Sequence, residues 1–162
     1  MNREDRKNIP IYQQVIFRRM EDYIYSRYCE EKNIPFTHLL ILDVCYMNTQ
    51  GIEPSVLADI VVIPRQTLTS ILNEFEQKGF IEREKHLSDG RKKLVKILPK
   101  GETYIKDVLE ELVERDIESA SCLTPAEQAM YVELYIKLIK SKCKVYGIED
   151  LPMMSMLNYK IL

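Results

Sequence analysis

Glycine is scarce in this 162-residue chain, at five residues, and histidine scarcer, at two, His38 and His86. Five glycines form no phosphate-binding loop, and the histidines fall in no HExxH motif; no GxSxG serine is present either. No apolar run approaches the ~20 residues that a membrane helix needs, so no membrane partner is expected. Residues Met1 to Lys7 are charged and lead into no apolar signal core, which argues against export. The four cysteines, Cys29, Cys45, Cys122 and Cys143, are widely spaced and make no CxxC pair. A disulfide framework and a zinc knuckle are therefore disfavoured, and reduced thiols in a cytoplasmic protein are the expectation. Cys29, Glu30, Glu31 and His38 are the nearest approach to a metal set, but their unlike spacings argue against one. Neither a metal nor a cofactor is expected, and the chain does not read as an enzyme.

What the chain does have is charge, unevenly placed. Its composition is 46% hydrophobic and 30% charged, with a formal net charge of -2. That is globular rather than disordered, and the length suits one domain or one domain with an oligomerisation arm. Residues 64 to 100 hold nine Lys/Arg against five Asp/Glu, a local +4, while the remainder of the chain carries -6. The pattern is that of a basic face on an acidic scaffold.

Hydrophobic spacing orders the rest. Residues 9 to 31 carry apolar side chains near helical period, with more aromatics (Tyr12, Phe17, Tyr23, Tyr25, Tyr28) than one buried stripe needs. A packing or dimer surface and a ligand-facing subset both fit. Pro35-Phe36-Thr37 starts a second helix that ends near Met47, and Glu53-Pro54 opens a short third one. Pro64 opens a fourth, in which Leu68, Ile71, Leu72 and Phe75 share one face and Gly79 supplies the C-terminal cap. Its other face is polar: Arg65, Gln66, Thr69, Ser70 and Asn73. Ile81 to Leu87 and Lys92 to Leu98 alternate like strands around an Asp-Gly turn, which predicts a β-hairpin. A long helix follows Pro99 to about Ser119, and Thr124-Pro125-Ala126-Glu127 reads as a capping box opening a last helix to about Lys144. The tail, residues 147 to 162, is apolar but broken by Gly147 and Pro152, and is expected to pack on its own subunit or on a partner.

Two short helices followed at once by a basic hairpin describe a winged helix-turn-helix. A helix polar on its free face can read base edges in the major groove while a basic hairpin beside it reaches a phosphate ribbon or the minor groove. The fold class expected is mainly α with a small β-hairpin, a winged helix-turn-helix plus a helical dimerisation region. DNA contacts are expected from Arg65, Gln66, Thr67, Thr69, Ser70 and Asn73 on the recognition helix. From the wing they are expected from Asp89, Gly90, Arg91, Lys92 and Lys93.

Over residues 9 to 141 the chain resembles the MarR family of winged-helix transcriptional regulators. The resemblance rests on Leu57-Ala58, on Gln66-Thr67-Leu68-Thr69, and on the run Phe75-Glu76-Gln77-Lys78-Gly79-Phe80-Ile81. It continues through Asp89-Gly90-Arg91, Lys100-Gly101 and Leu123-Thr124-Pro125-Ala126-Glu127. Ser70 and Leu98 depart from it, standing where an arginine and a helix-capping threonine are usual; the second leaves that helix start to Pro99. The resemblance implies a homodimer built from the first and last two helices, with Asp89 and Arg91 shaping the wing and Arg91 entering the minor groove. It also implies a small-molecule effector, for which Tyr12, Phe17, His38, Leu42 and Tyr104 are the candidate pocket residues.

The domain organisation expected is an N-terminal dimerisation helix (1 to 34), a DNA-binding lobe (35 to 100), C-terminal dimerisation helices (101 to 146) and the apolar tail (147 to 162). The function expected is that of a homodimeric transcriptional regulator, a ligand-responsive repressor acting on an inverted-repeat operator in double-stranded DNA. A winged-helix adaptor that binds protein and no DNA is the alternative.

Overall fold

Proline punctuates the chain and helices form behind it. In the computed structural model, which describes residues 9–85 and 93–152, six helices and two strands follow one another. They are α1 (Pro10–Glu31), α2 (Phe36–Met47), α3 (Pro54–Val61), α4 (Arg65–Gln77), β1 (Ile81–Lys85), β2 (Lys93–Ile97), α5 (Pro99–Ala120) and α6 (Pro125–Tyr146). Proline stands in the first turn of α1, α3, α5 and α6. There its missing N–H is no loss and its fixed φ suits a helix. Pro64 differs slightly from expectation: with ψ 137 it is the cap residue before α4 rather than its first helical residue.

The predicted elements are present with shifted edges. The described strands are five residues each, and Leu98 is extended backbone that caps α5 instead of closing β2. His86, Leu87 and the turn at 88–92 lie outside the described residues, as do tail residues 153–162. The arrangement is mainly α with one antiparallel hairpin, as the sequence implied.

Two compact units divide the chain at Ile41 and Leu42. In the first, Tyr28, Cys29, Ile34, Leu39 and Ile41 are buried, and Tyr25 stacks on Phe36 with ring centroids 6.1 Å apart. The earlier apolar residues of α1, from Ile11 and Val15 through Met20 to Ile24, are exposed.

The second unit holds the winged helix. Leu68, Ile71, Leu72 and Phe75 are the buried residues of α4, at the spacing that puts them on one face. Leu57 and Ala58 of α3, Phe80, Ile81, Val95 and Ile105 are buried too. Side chains of this kind contribute about 1.5–3 kcal/mol each when fully withdrawn from water. Pairing runs from Ile81 opposite Ile97 to Lys85 opposite Lys93. Ile52 adds a bridge to Val95, each donating its N–H to the other's carbonyl at 3.0 and 2.8 Å. Gly51, at φ +88, makes that approach possible, since a Cβ there would stand 2.9 Å from Lys96 Cγ.

The long helices behave differently. α5 buries Gly101 and Ile105 only, and no residue of α6 is buried among the described residues. α6 is instead closed by its own caps: the Thr124 hydroxyl accepts from Glu127 N–H, the Glu127 carboxylate accepts from Thr124 N–H at 2.8 Å, and Gly147 ends the helix at φ +66.

Candidate nucleic-acid interface

The sharp turn between α3 and α4 is built from backbone. Val62 takes left-handed φ 58, ψ 48, donates its N–H to Ala58, and lets the axes of α3 and α4 bend by 112°. That bend is in the range that joins the two helices of a helix-turn-helix. A β-branched residue in this region of φ and ψ is strained, and Val62 is also 77% exposed.

Beyond the turn, α4 divides cleanly. With Leu68, Ile71, Leu72 and Phe75 facing inward, Arg65, Gln66, Thr67, Thr69, Ser70 and Asn73 are all exposed. No acidic residue stands in the first turn and no side chain caps it, so the N-terminal N–H groups and the positive end of the helix dipole are left for an external anion. The Thr69 hydroxyl donates back to the Arg65 carbonyl at 2.8 Å, which leaves its methyl and its oxygen lone pairs for contacts outside the helix.

The far end of α4 is closed by residues from later in the chain. Lys100 Nζ donates to the Lys78 carbonyl at 2.7 Å and lies 5.5 Å from the Phe80 ring centroid, placing a cation at the negative end of the helix. Gly101 follows because nothing larger fits: a Cβ there would stand 2.9 Å from the Phe80 carbonyl carbon. The Lys100-Gly101 pair, read in sequence only as part of a resemblance, thus locks α5 to the end of α4. Tyr104, one turn on, stacks on Phe80 at 4.7 Å.

Along the hairpin, positive charge is partly spent within the fold. Lys96 Nζ sits 2.6 Å from Glu84, which raises the lysine's pKa and lowers the carboxylate's through their hydrogen bond. Arg83 binds α4, with Nη1 3.2 Å from Glu76 and Nη2 donating to Asn73 Oδ1 at 2.9 Å. Lys93 is exposed at the start of β2. Asp89, Gly90, Arg91 and Lys92 lie outside the described residues. Arg83, Lys100 and Gly101 are the residues that the sequence reading did not single out for these roles. The signal for Arg83 was its period-two spacing from Ile81, which puts an arginine on the strand face turned to α4.

The candidate effector residues are dispersed in character. Leu42 is fully buried, His38 half-buried, and Tyr12, Phe17 and Tyr104 exposed. Two grooves of about 440 Å³ are lined by other residues, one by Ser26, Cys29, Glu30 and Asn33 to Phe36, the other by α6 near Cys143 and the chain from Ile148 to Leu151. Among the described residues, no group of three or more His, Cys, Asp or Glu could hold a metal ion. No single helix there is long and apolar enough to cross a membrane.

Comparison with known proteins follows the same outline. Residues 32–92 match the model of the MarR family. A Thauera aromatica protein assigned to transcriptional regulation of the hcr operon is 24% identical over 93 residues, 57% of this chain and 56% of its own. Riboflavin kinase of Thermococcus kodakarensis is 31% identical over 110 residues, 65% of this chain but 48% of the kinase. The chain spans about half the length of the curated relatives it matches. Among solved structures, a MarR family transcription regulator superposes with TM-score 0.72 at 19% identity, covering 90% of this chain and 99% of that one. NadR in complex with 4-hydroxyphenylacetate superposes with TM-score 0.68 at 25% identity, over 82% and 94%.

Proposed function

We propose that this chain, which belongs to the MarR family, is a homodimeric, sequence-specific DNA-binding regulator of transcription, a repressor acting in the cytoplasm on an inverted-repeat operator. The observation that carries the reading is the exposed polar face of α4, held at 112° to α3 with its N-terminus uncapped by any side chain and a basic hairpin directly after it. A surface helix polar on its outward face needs no partner to be stable; one whose first turn also lacks acids is suited to a polyanion.

Dimerisation is supported by the opposite kind of surface. Ile16, Met20 and Ile24 of α1, Val113 and Ile117 of α5, and Met130, Leu134 and Tyr135 of α6 are all exposed in the single chain. Apolar residues repeated in this way along long helices are explained by a second copy that covers them, with half-buried Val108, Leu112 and Leu138 joining the same contact. Two recognition helices related by a two-fold axis then meet half-sites about one DNA turn, ~10 base pairs, apart. The chain's own role is non-enzymatic in this reading. Regulation by a small molecule is supported by NadR and its 4-hydroxyphenylacetate complex, with Tyr12, Phe17, His38, Leu42 and Tyr104 proposed for effector recognition.

Selection of bound fragments from random double-stranded DNA tests the reading. An enriched inverted repeat, bound with an affinity that falls steeply as salt rises, is the expected result. Gln66→Ala lowers affinity for that site by about 1–3 kcal/mol and relaxes one position per half-site, whereas Lys93→Ala weakens all sequences alike and reduces the salt slope. No enrichment, together with salt-insensitive capture of a protein partner, would give the molecule to the adaptor function instead.

A further inference from the structure

Arg83 is placed midway along β1, opposite Val95 and two residues from buried Ile81. Its side chain is only 19% exposed, and its guanidinium reaches three groups of α4. Nη2 donates to Asn73 Oδ1 at 2.9 Å and more weakly to the Thr69 carbonyl at 3.5 Å, while Nη1 is 3.2 Å from Glu76 Oε2. Positions 69, 73 and 76 form one row along the helix, so a single planar cation joins two turns of α4 to the wing strand. Lysine could not do this, because a compact ammonium does not present donors in a fixed fork.

The consequence falls on Asn73, which is exposed on the polar face of α4. The hydrogen bond to Arg83 holds the Asn73 carbonyl oxygen toward β1, and the planar carboxamide thereby turns its NH₂, and not its oxygen, away from the strand. A carboxamide with both ends free grips adenine through N6 and N7 together; one that can only donate needs an acceptor. Guanine, adenine and thymine each present one in the major groove, and cytosine presents a donor.

We propose that Arg83 is a positioning residue for base recognition: it ties the recognition helix to the wing and restricts Asn73 to hydrogen-bond donation in the major groove, so that cytosine is rejected at the base Asn73 meets. This rests on the DNA-binding reading above and adds to it a residue that touches no DNA.

Two variants test it, each compared with the parent dimer by selection from random DNA and by affinity for selected and unselected duplexes across a salt titration. Asn73→Asp keeps a partner for Arg83 but replaces the donor by an acceptor. One position per half-site then shifts toward cytosine, whose N4 amine donates. Arg83→Met combined with Glu76→Gln removes the fork at constant net charge. It lowers the ratio of specific to non-specific affinity by about tenfold with the salt slope unchanged, a single base contact's worth. A purely structural role for Arg83 would instead lower thermal stability and weaken both duplexes together. The proposal is overturned if Asn73→Asp weakens all sequences equally, as loss of a phosphate contact would, or if the folded double variant keeps the parent's specificity ratio. A parent that enriches no sequence at all overturns the DNA reading itself, which separates that failure from this one.

Discussion

Helices α4 and α6 are held in place by opposite means. α4 has 13 residues, no side-chain cap at its N-terminus, and four buried apolar side chains. α6 has 22 residues, a complete capping box, a left-handed glycine at its end, and no buried side chain among the described residues. The first is a helix because the core requires it; the second is a helix because its own termini encode one. What each leaves unsatisfied differs accordingly. α4 has its apolar face covered and a polar face and positive end to spare, whereas α6 has satisfied ends and uncovered apolar residues such as Leu134, 57% exposed, and Tyr135. In the proposed function these become the surfaces for a polyanion and for a second copy of the chain.

The largest contrast should appear in thiol chemistry. Cys45 is buried in the second unit, and burial pushes its thiol up to about 12; burial also raises Cys29. Thiolate is the reactive form, so at pH 8 alkylation of Cys45 should run on the order of 10³-fold slower than that of an ordinary free cysteine near ~8.5. Cys122, exposed between α5 and α6, should label at once. Mass spectrometry of timed iodoacetamide labelling reads the order, and early modification of Cys45 in folded protein would show that the lobe opens readily.

Next come paired substitutions on the two helices. Phe75→Ala removes a fully buried ring from α4 and should cost about 3–5 kcal/mol in denaturant unfolding. Leu134→Asp removes an exposed side chain from α6; the proposed dimer should dissociate in sedimentation while helix content is largely kept. Should Leu134→Asp remain dimeric at micromolar concentration, α6 is not the interface.

A smaller effect is expected at the cap. Thr124→Ala should cost about 1 kcal/mol, because the orphan N–H of Glu127 loses its acceptor. The carboxylate side of the box carries a pH signature. Hydrogen bonds from the Thr124 backbone, and then from its side chain, lower the pKa of Glu127 below its ordinary 4.5. A carboxylate depressed by folding stabilises above its unfolded value and ceases to as pH falls through the folded one. The stability difference between the parent and Glu127→Gln should thus be level from pH 6 to 8 and shrink below 4.5. A difference that persists to lower pH would assign it to side-chain packing rather than charge.

The smallest effect has the reverse sign. Val62→Gly relieves a left-handed β-branched residue at the turn between α3 and α4, and should be neutral or stabilising by less than about 1 kcal/mol, since glycine also gains freedom in the unfolded chain. A loss of more than that would mean that exposed Val62 makes a contact of its own.

Local patterns made much of this legible in advance. The period of Leu68, Ile71, Leu72 and Phe75 specified which face of α4 is buried and, by subtraction, that Arg65, Gln66, Thr67, Thr69, Ser70 and Asn73 are among the residues presented. The proline starts and the Thr124 box were readable because each acts within four residues of its own position. Helix edges were less so: Leu98 has the apolar, extended character of a strand residue, and it caps α5 because Pro99 begins a helix immediately after it. Arg83 looked like one more cation in a basic segment, although its charge is committed to Glu76 and its donors to Asn73 and Thr69.

The sequence by itself thus determined where helices begin, which of their faces are apolar, and that positive charge gathers between residues 64 and 100. These depend on neighbours along the chain, and dihedral preference and side-chain period act at that range. Only the tertiary structure decided which cations remain for a partner. Lys96 is paired with Glu84, Lys100 closes α4, Arg83 fastens it to the wing, and Lys93 stays exposed. The groups that commit these three cations lie seven or more residues away in the chain, and Coulomb attraction and hydrogen bonding depend on distance in space, to which sequence separation is no guide.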